Sequence, residues 1–108
     1  MPIRNLYDLP MTRSRVREGE GECLGATAFT SEEFASPLTG IGITVIPPGC
    51  SIGPHPHGDL EEVYIIAEGT GIATLDGKQQ RVRKGDVMVN PVNGVHGLAN
   101  DGDEDLVI

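Results

Sequence analysis

The stretch Gly53-Pro-His-Pro-His-Gly-Asp-Leu-Glu-Glu-Val-Tyr64 holds two of the three histidines in the chain and two adjacent glutamates. His55 and His57 are two residues apart, so on an extended backbone both rings leave the same face. A loop over 58–61 lets the following strand return with Glu62 and Tyr64 on one face. Imidazole and carboxylate together suit a divalent transition metal such as Zn, Fe, Mn, Co or Ni. Two ligands from one turn-linked pair make a weak site. His96 is the only histidine left to supply another.

Outward from this stretch the chain reads as short strands separated by turns. Upstream, Ile41, Ile43 and Val45 alternate with Gly42, Thr44 and Ile46 in a strand that ends at Pro47-Pro48-Gly49, since proline cannot donate to a ladder. Downstream, strands are expected at 61–67, 70–75, 78–83, 87–90 and 95–99, with Asp76-Gly77 as a two-residue type I′ hairpin signal. Cys23–Thr30 reads as a further strand, 30–39 as a loop, and residues 1–20 as an arm or first strand. The closing EDLVI is still apolar at Ile108. Tight turns every 8–12 residues predict an all-β sandwich or barrel.

The 108 residues predict one domain, with a barrel core over 40–108. Tryptophan is absent, so Ile, Val and Leu must fill the core; 15 glycines and 8 prolines supply the turns. A formal net charge of −8 argues against nucleic acid, whose phosphates demand a Lys and Arg surplus. No apolar run is long enough for a membrane span, and the first residues lack the apolar core of a signal peptide. Two cysteines, Cys23 and Cys50, are too few for a disulfide framework and predict free thiols in a cytoplasmic protein. Arg13, Arg15 and Arg17 recur every second residue, which in an extended strand gives one basic face. That face is either a solvated edge or an anion-binding surface.

The spacing Gly49-x5-His55-x-His57-x4-Glu62-x6-Gly69 resembles the first sequence motif of the cupin family, and Gly85-x5-Pro91-x-Asn93-x2-His96-x3-Asn100 resembles the second. The two together consume every histidine. Asn93 stands where the family pattern has glycine; asparagine tolerates a positive φ better than other side chains, so the turn is expected to survive. The resemblance implies an antiparallel jelly-roll barrel (a double-stranded β-helix) and one divalent metal ion, Mn, Fe, Ni, Zn or Co, held by His55, His57, Glu62 and His96. Glu61 is the rival carboxylate, but Glu62 alone lies six residues before Gly69 and should face inward if Glu61 faces out.

Four ligands on an octahedral ion leave two positions for a chelating small molecule. The resemblance therefore implies an enzyme of oxygenase, oxidase or decarboxylase type acting on a small oxygen-rich acid, with sugar or sugar-phosphate isomerisation and non-catalytic binding as alternatives. Tyr64 and Glu61 are the candidate catalytic groups; Tyr64 reads equally as a core tyrosine reaching a backbone partner. A homodimer is also implied.

Overall fold

The computed structural model describes residues 2–108. Ten antiparallel strands run in chain order: β1 Thr12–Ser14, β2 Cys23–Thr30, β3 Gly40–Ile46, β4 Ser51–Pro56, β5 Glu62–Ile65, β6 Thr70–Leu75, β7 Lys78–Arg83, β8 Val87–Asn90, β9 Val95–Ala99 and β10 Leu106–Val107. They form two four-stranded sheets, β1-β2-β3-β10 and β4-β9-β6-β7, and a two-stranded ribbon, β5-β8. The architecture is a small all-β jelly roll.

The turns follow the local chemistry of the sequence. Asp76 and Gly77 have φ of 49° and 80°, as a type I′ turn requires, and join Leu75 directly to its partner Lys78. Gly49, Gly69 and Gly85 all have positive φ. Asn93 does too, at 61°, and its N–H donates to Gly58 O at 2.6 Å. The asparagine therefore does the conformational work that glycine does in the family pattern.

The expected strand over 61–67 is shorter than the sequence suggests. β5 pairs with β8 only from Glu62 to Ile65. At Ala67 the backbone N–H turns instead to Val107 O, 2.8 Å away, and Glu68 bridges the same residue. The chain switches sheets there, and such corners are what close a barrel. Between the sheets lie Ile46, Ile52, Ile66, Ala73, Val82, Leu98 and Leu106, and Cys23 and Tyr64 belong to the same buried cluster. Leu106 is fully buried, so the last strand, although two residues long, is fastened by its side chain as much as by its ladder.

The arginine repeat does not form one face. β1 ends at Ser14, and Arg17 and Glu18 have φ of 52° and 57°. Residues 16–19 instead make a type I′ turn closed by Gly19 N–H to Val16 O at 3.0 Å. Its backbone lies against β4, where Gly53 N–H donates to Val16 O and Ser51 N–H to Glu20 O. A side chain at Gly19 or Gly53 would meet the facing carbonyl at 2.1 Å, so both positions need glycine for this approach.

Candidate metal centre

Ile52 and His55 are three residues apart, yet both side chains are buried. A regular strand would send them to opposite faces. The register of β4 against β9 shifts between these residues, a bulge that restores the inward direction for His55. Gly53 and Pro54 fill the bulge; opposite it, a Cβ at Gly97 would come within 3.0 Å of the β4 backbone. Beyond the bulge His55 pairs directly with His96 across the two strands. His57 follows one residue past the end of β4, and Glu62 opens β5 after the turn.

These placements bring His55, His57, Glu62 and His96 together, with one donor atom from each lying within 4.8 Å of all the others. His57 Nε2 stands 2.9 Å from His55 Nε2. Glu62 Oε1 is 3.1 Å from His96 Nε2 and 3.5 Å from His57 Nε2. Neighbouring donors at ~2.1 Å from a shared ion stand about 3 Å apart, so this spacing fits a first-row metal. His55 Nδ1 lies 2.7 Å from Gly53 O. With the proton on Nδ1, the Nε2 lone pair of His55 faces into the cluster, available to a cation.

The electrostatics agree. Burial, followed by the charges of Arg17 and His57, lowers the His55 pKa from its ordinary 6.5, against the hydrogen bond to Gly53 and the charge of Glu62. Burial, followed by the neighbouring His55, lowers that of His96, against Glu62. Both rings are therefore held neutral, the form that ligates metal. His96 is wholly buried and its Nδ1 has no hydrogen-bond partner.

A cavity of about 180 Å³ opens on this cluster, walled by Val16, Arg17, Thr44 and Ile52 together with His55, His57, Glu62 and Tyr64. Tyr64 is buried, its ring edge-on to His96 with centroids 5.6 Å apart. Burial first, and then the Glu62 carboxylate, raise its phenol pKa far above the ordinary 10.0. Glu61 is exposed and lies outside both the cluster and the cavity wall. A second cavity of about 190 Å³, lined by Ser51, Ile52, Pro54, Thr74, Leu98 and Ala99 among others, contains no ionisable side chain.

Two residues of this region were not assigned to it from sequence. Arg17 was legible only as one of three arginines, and its turn conformation separates it from the other two. Asn90 is the cross-strand partner of Glu62, and it is buried with neither amide atom hydrogen-bonded. Its place before Pro91 in the second motif was the available signal.

Known proteins share this fold. The family model described as "Cupin domain" matches residues 42–108, which include all four clustered side chains. The chain is 30% identical over 106 residues to the "Oxalate-binding protein" of Thermotoga maritima, covering 98% of this chain and 88% of that one. It is 34% identical over 77 residues to the dimethylsulfoniopropionate lyase DddW of Ruegeria pomeroyi, covering 71% of this chain and half of the lyase. Among solved structures, a "predicted oxalate decarboxylase" from Thermotoga maritima superposes with a TM-score of 0.92 at 28% identity, covering 97% of this chain and 92% of that chain. The motif spacing, the jelly roll and the convergent histidines thus meet in one conclusion: the chain belongs to the cupin family.

Proposed function

We propose that the protein is a metal-dependent cupin that binds a small oxygen-rich acid of the oxalate kind and decarboxylates it. The observation that carries this reading is the meeting of three imidazoles and one carboxylate at a cavity of about 180 Å³. That volume lies below the ~300 Å³ at which pockets for drug-sized ligands begin. It suits a two-carbon acid and disfavours a sugar phosphate. The names of the Thermotoga relatives point the same way.

When bound by His55, His57, Glu62 and His96, a divalent ion would supply Lewis-acid or redox chemistry at its open positions. The chain's own residues do the rest. Val16 and Ile52 bring apolar surface to the cavity and limit water there. Tyr64, its pKa raised by burial, keeps its proton throughout the neutral range. It can therefore donate a proton but not act as a resting base. In the decarboxylation of the oxalate dianion the carbon–carbon bond breaks and carbon dioxide leaves. The remaining carbon keeps the bonding pair and takes a proton, giving formate. Tyr64 is our choice of donor for that proton, and a proton from solvent restores it. Exposed Glu61 takes no part.

The test is direct. Protein loaded separately with Mn, Fe, Ni, Co and Zn is incubated with carbon-13 oxalate, with and without oxygen, and products are followed by NMR. Formate without oxygen consumption supports the decarboxylase reading. Oxygen consumption with carbon dioxide alone points to an oxidase. Tight oxalate binding with no product under any metal leaves a binding module, the second reading, which the name of the first relative favours.

We extend the proposal to a cytoplasmic homodimer. Cys23 and Cys50 are both free, as suits a reducing compartment, and among the described residues no helix is long and apolar enough to cross a membrane. The outer face of the β5-β8 ribbon carries Val63, Ile65, Val87 and Val89 in two adjacent cross-strand pairs, each more than half exposed. A contiguous aliphatic face of this sort suits a protein partner, and a second copy is the partner we choose. Sedimentation velocity distinguishes the dimer from a monomer.

A further inference from the structure

We propose that Arg17 is the specificity-determining residue of the cavity, a guanidinium carried on a fixed turn that receives the outer carboxylate oxygens of a small dianionic acid. The inference rests on the reading of this site as one for small acids and adds a group that recognises their charge.

Four observations carry it. First, Arg17 comes from the arm yet lines the same cavity as His55, His57, Glu62 and Tyr64. Second, its guanidinium is unpaired. Among the described residues, Arg4 pairs with Glu33 and Arg81 with Asp101, but no carboxylate pairs with Arg17. Third, the backbone that presents it is built at a cost. Arg17 and Glu18 are consecutive non-glycine residues at φ of 52° and 57°, a strained conformation that persists only where surroundings impose it. The surroundings are on view. Arg15 donates to Gly19 O at 2.9 Å and to Glu18 O at 3.2 Å, and the turn is sewn to β4 through Val16 O and Gly53 N–H. Arg15 thus holds the turn while Arg17 is left free to face the cavity.

Fourth, the charges suit a dianion. Glu62 and Arg17 carry the formal charges of the cavity wall, since imidazoles that ligate a metal do so in their neutral form. Their charges cancel, so a divalent ion leaves a double positive charge for the ligand to neutralise. On a protein of net charge −8 such a spot is a local exception, and it would concentrate a small anion against the general field. A planar fork of donors matches a carboxylate edge better than an ammonium does.

The experiment uses full-length protein loaded with Mn(II), with metal content checked by elemental analysis. Arg17→Asn is the main variant, because asparagine keeps the positive-φ turn while removing the guanidinium; Arg17→Lys keeps charge without the fork. Oxalate and acetohydroxamate are titrated by calorimetry; both chelate through two oxygens, but the second has no carboxylate. The expected result is an oxalate affinity lowered about 10- to 100-fold in Arg17→Asn and partly recovered in Arg17→Lys. Acetohydroxamate affinity and metal content should stay near wild type. Wild-type oxalate binding that Arg17→Asn leaves unchanged overturns the inference and spares the proposed function. Equal loss for both ligands, or loss of metal, overturns it in favour of a structural role for the turn. Wild-type protein that holds metal and ignores oxalate defeats the proposed function and the inference together.

Discussion

The two faces of the β5-β8 ribbon reverse the usual relation of inside to outside. Glu62, Tyr64, Met88 and Asn90 alternate inward, so the interior face holds a carboxylate, a phenol and an amide. Val63, Ile65, Val87 and Val89 point outward and are 52–63% exposed. On most half-buried ribbons the β-branched residues would be the core. Here the register gives the interior to the polar set because Glu62 must join the histidines. The β-branched residues are left exposed on the outer face. The lesson is that alternation identifies two faces without saying which one is inside.

The largest effect should come from the inner face and its histidine neighbours. His57→Ala is expected to abolish stoichiometric metal binding, whereas Glu61→Ala, one residue outside the inward set, should leave it within a few-fold. Substitutions beyond the ligands seldom exceed ~100-fold. Elemental analysis after dialysis reads both, and equal losses would mean that the wrong glutamate has been placed inside.

Tyr64→Phe tests the inner face as chemistry. If the phenol donates the proton, turnover should fall about 100-fold or more, within the range for a lost general acid, while oxalate affinity measured by calorimetry changes little. Unchanged turnover would return Tyr64 to the role of a core tyrosine.

Pairing Val63→Asp with Val89→Asp tests the outer face. Like charges placed directly opposite one another disrupt an apolar contact, so sedimentation should report a monomer that retains its full metal content. Metal loss in this variant would show that the two faces are not independent.

Smaller effects sharpen the cost of a polar interior. Asn90→Leu removes two unpaired buried atoms and is expected to raise stability by roughly 1–3 kcal/mol in chemical denaturation. A loss of stability would show that the amide has a partner in solution. In metal-stripped protein, His55 and His96 have folded pKa values below their ordinary 6.5. The unfolded chain then takes up protons first as pH falls, so their contribution is intact above about 6.5 and declines below it. Thermal melts across that range read the change, and a His96→Ala variant should show a shallower slope.

How much of this was legible follows from how local each signal is. The hairpin at Asp76-Gly77 and the asparagine turn at Asn93 are short-range matters of positive φ, and their side chains announce them. Arg17 escaped because period-two spacing in RSRVR fits an extended strand as well as a strand followed by a turn. What selects the turn is Gly53, more than thirty residues away, which together with Gly19 lets the arm's backbone approach β4.

The sequence by itself determined the all-β class and the turns at Asp76-Gly77 and Asn93, because period-two patterning and positive-φ residues are encoded within a few residues of one another, while the resemblance of its two motifs to the cupin pattern pointed to the four side chains that meet. Tertiary structure alone decided the bulge that turns His55 inward beside Ile52, the burial of Asn90 beside Glu62, the exposure of the β5-β8 valines, and the seating of Arg17 over the cavity. Each of these depends on which strand becomes a neighbour. That choice is made by contacts between residues far apart in the chain, where burial and backbone hydrogen bonding are settled for the molecule as a whole.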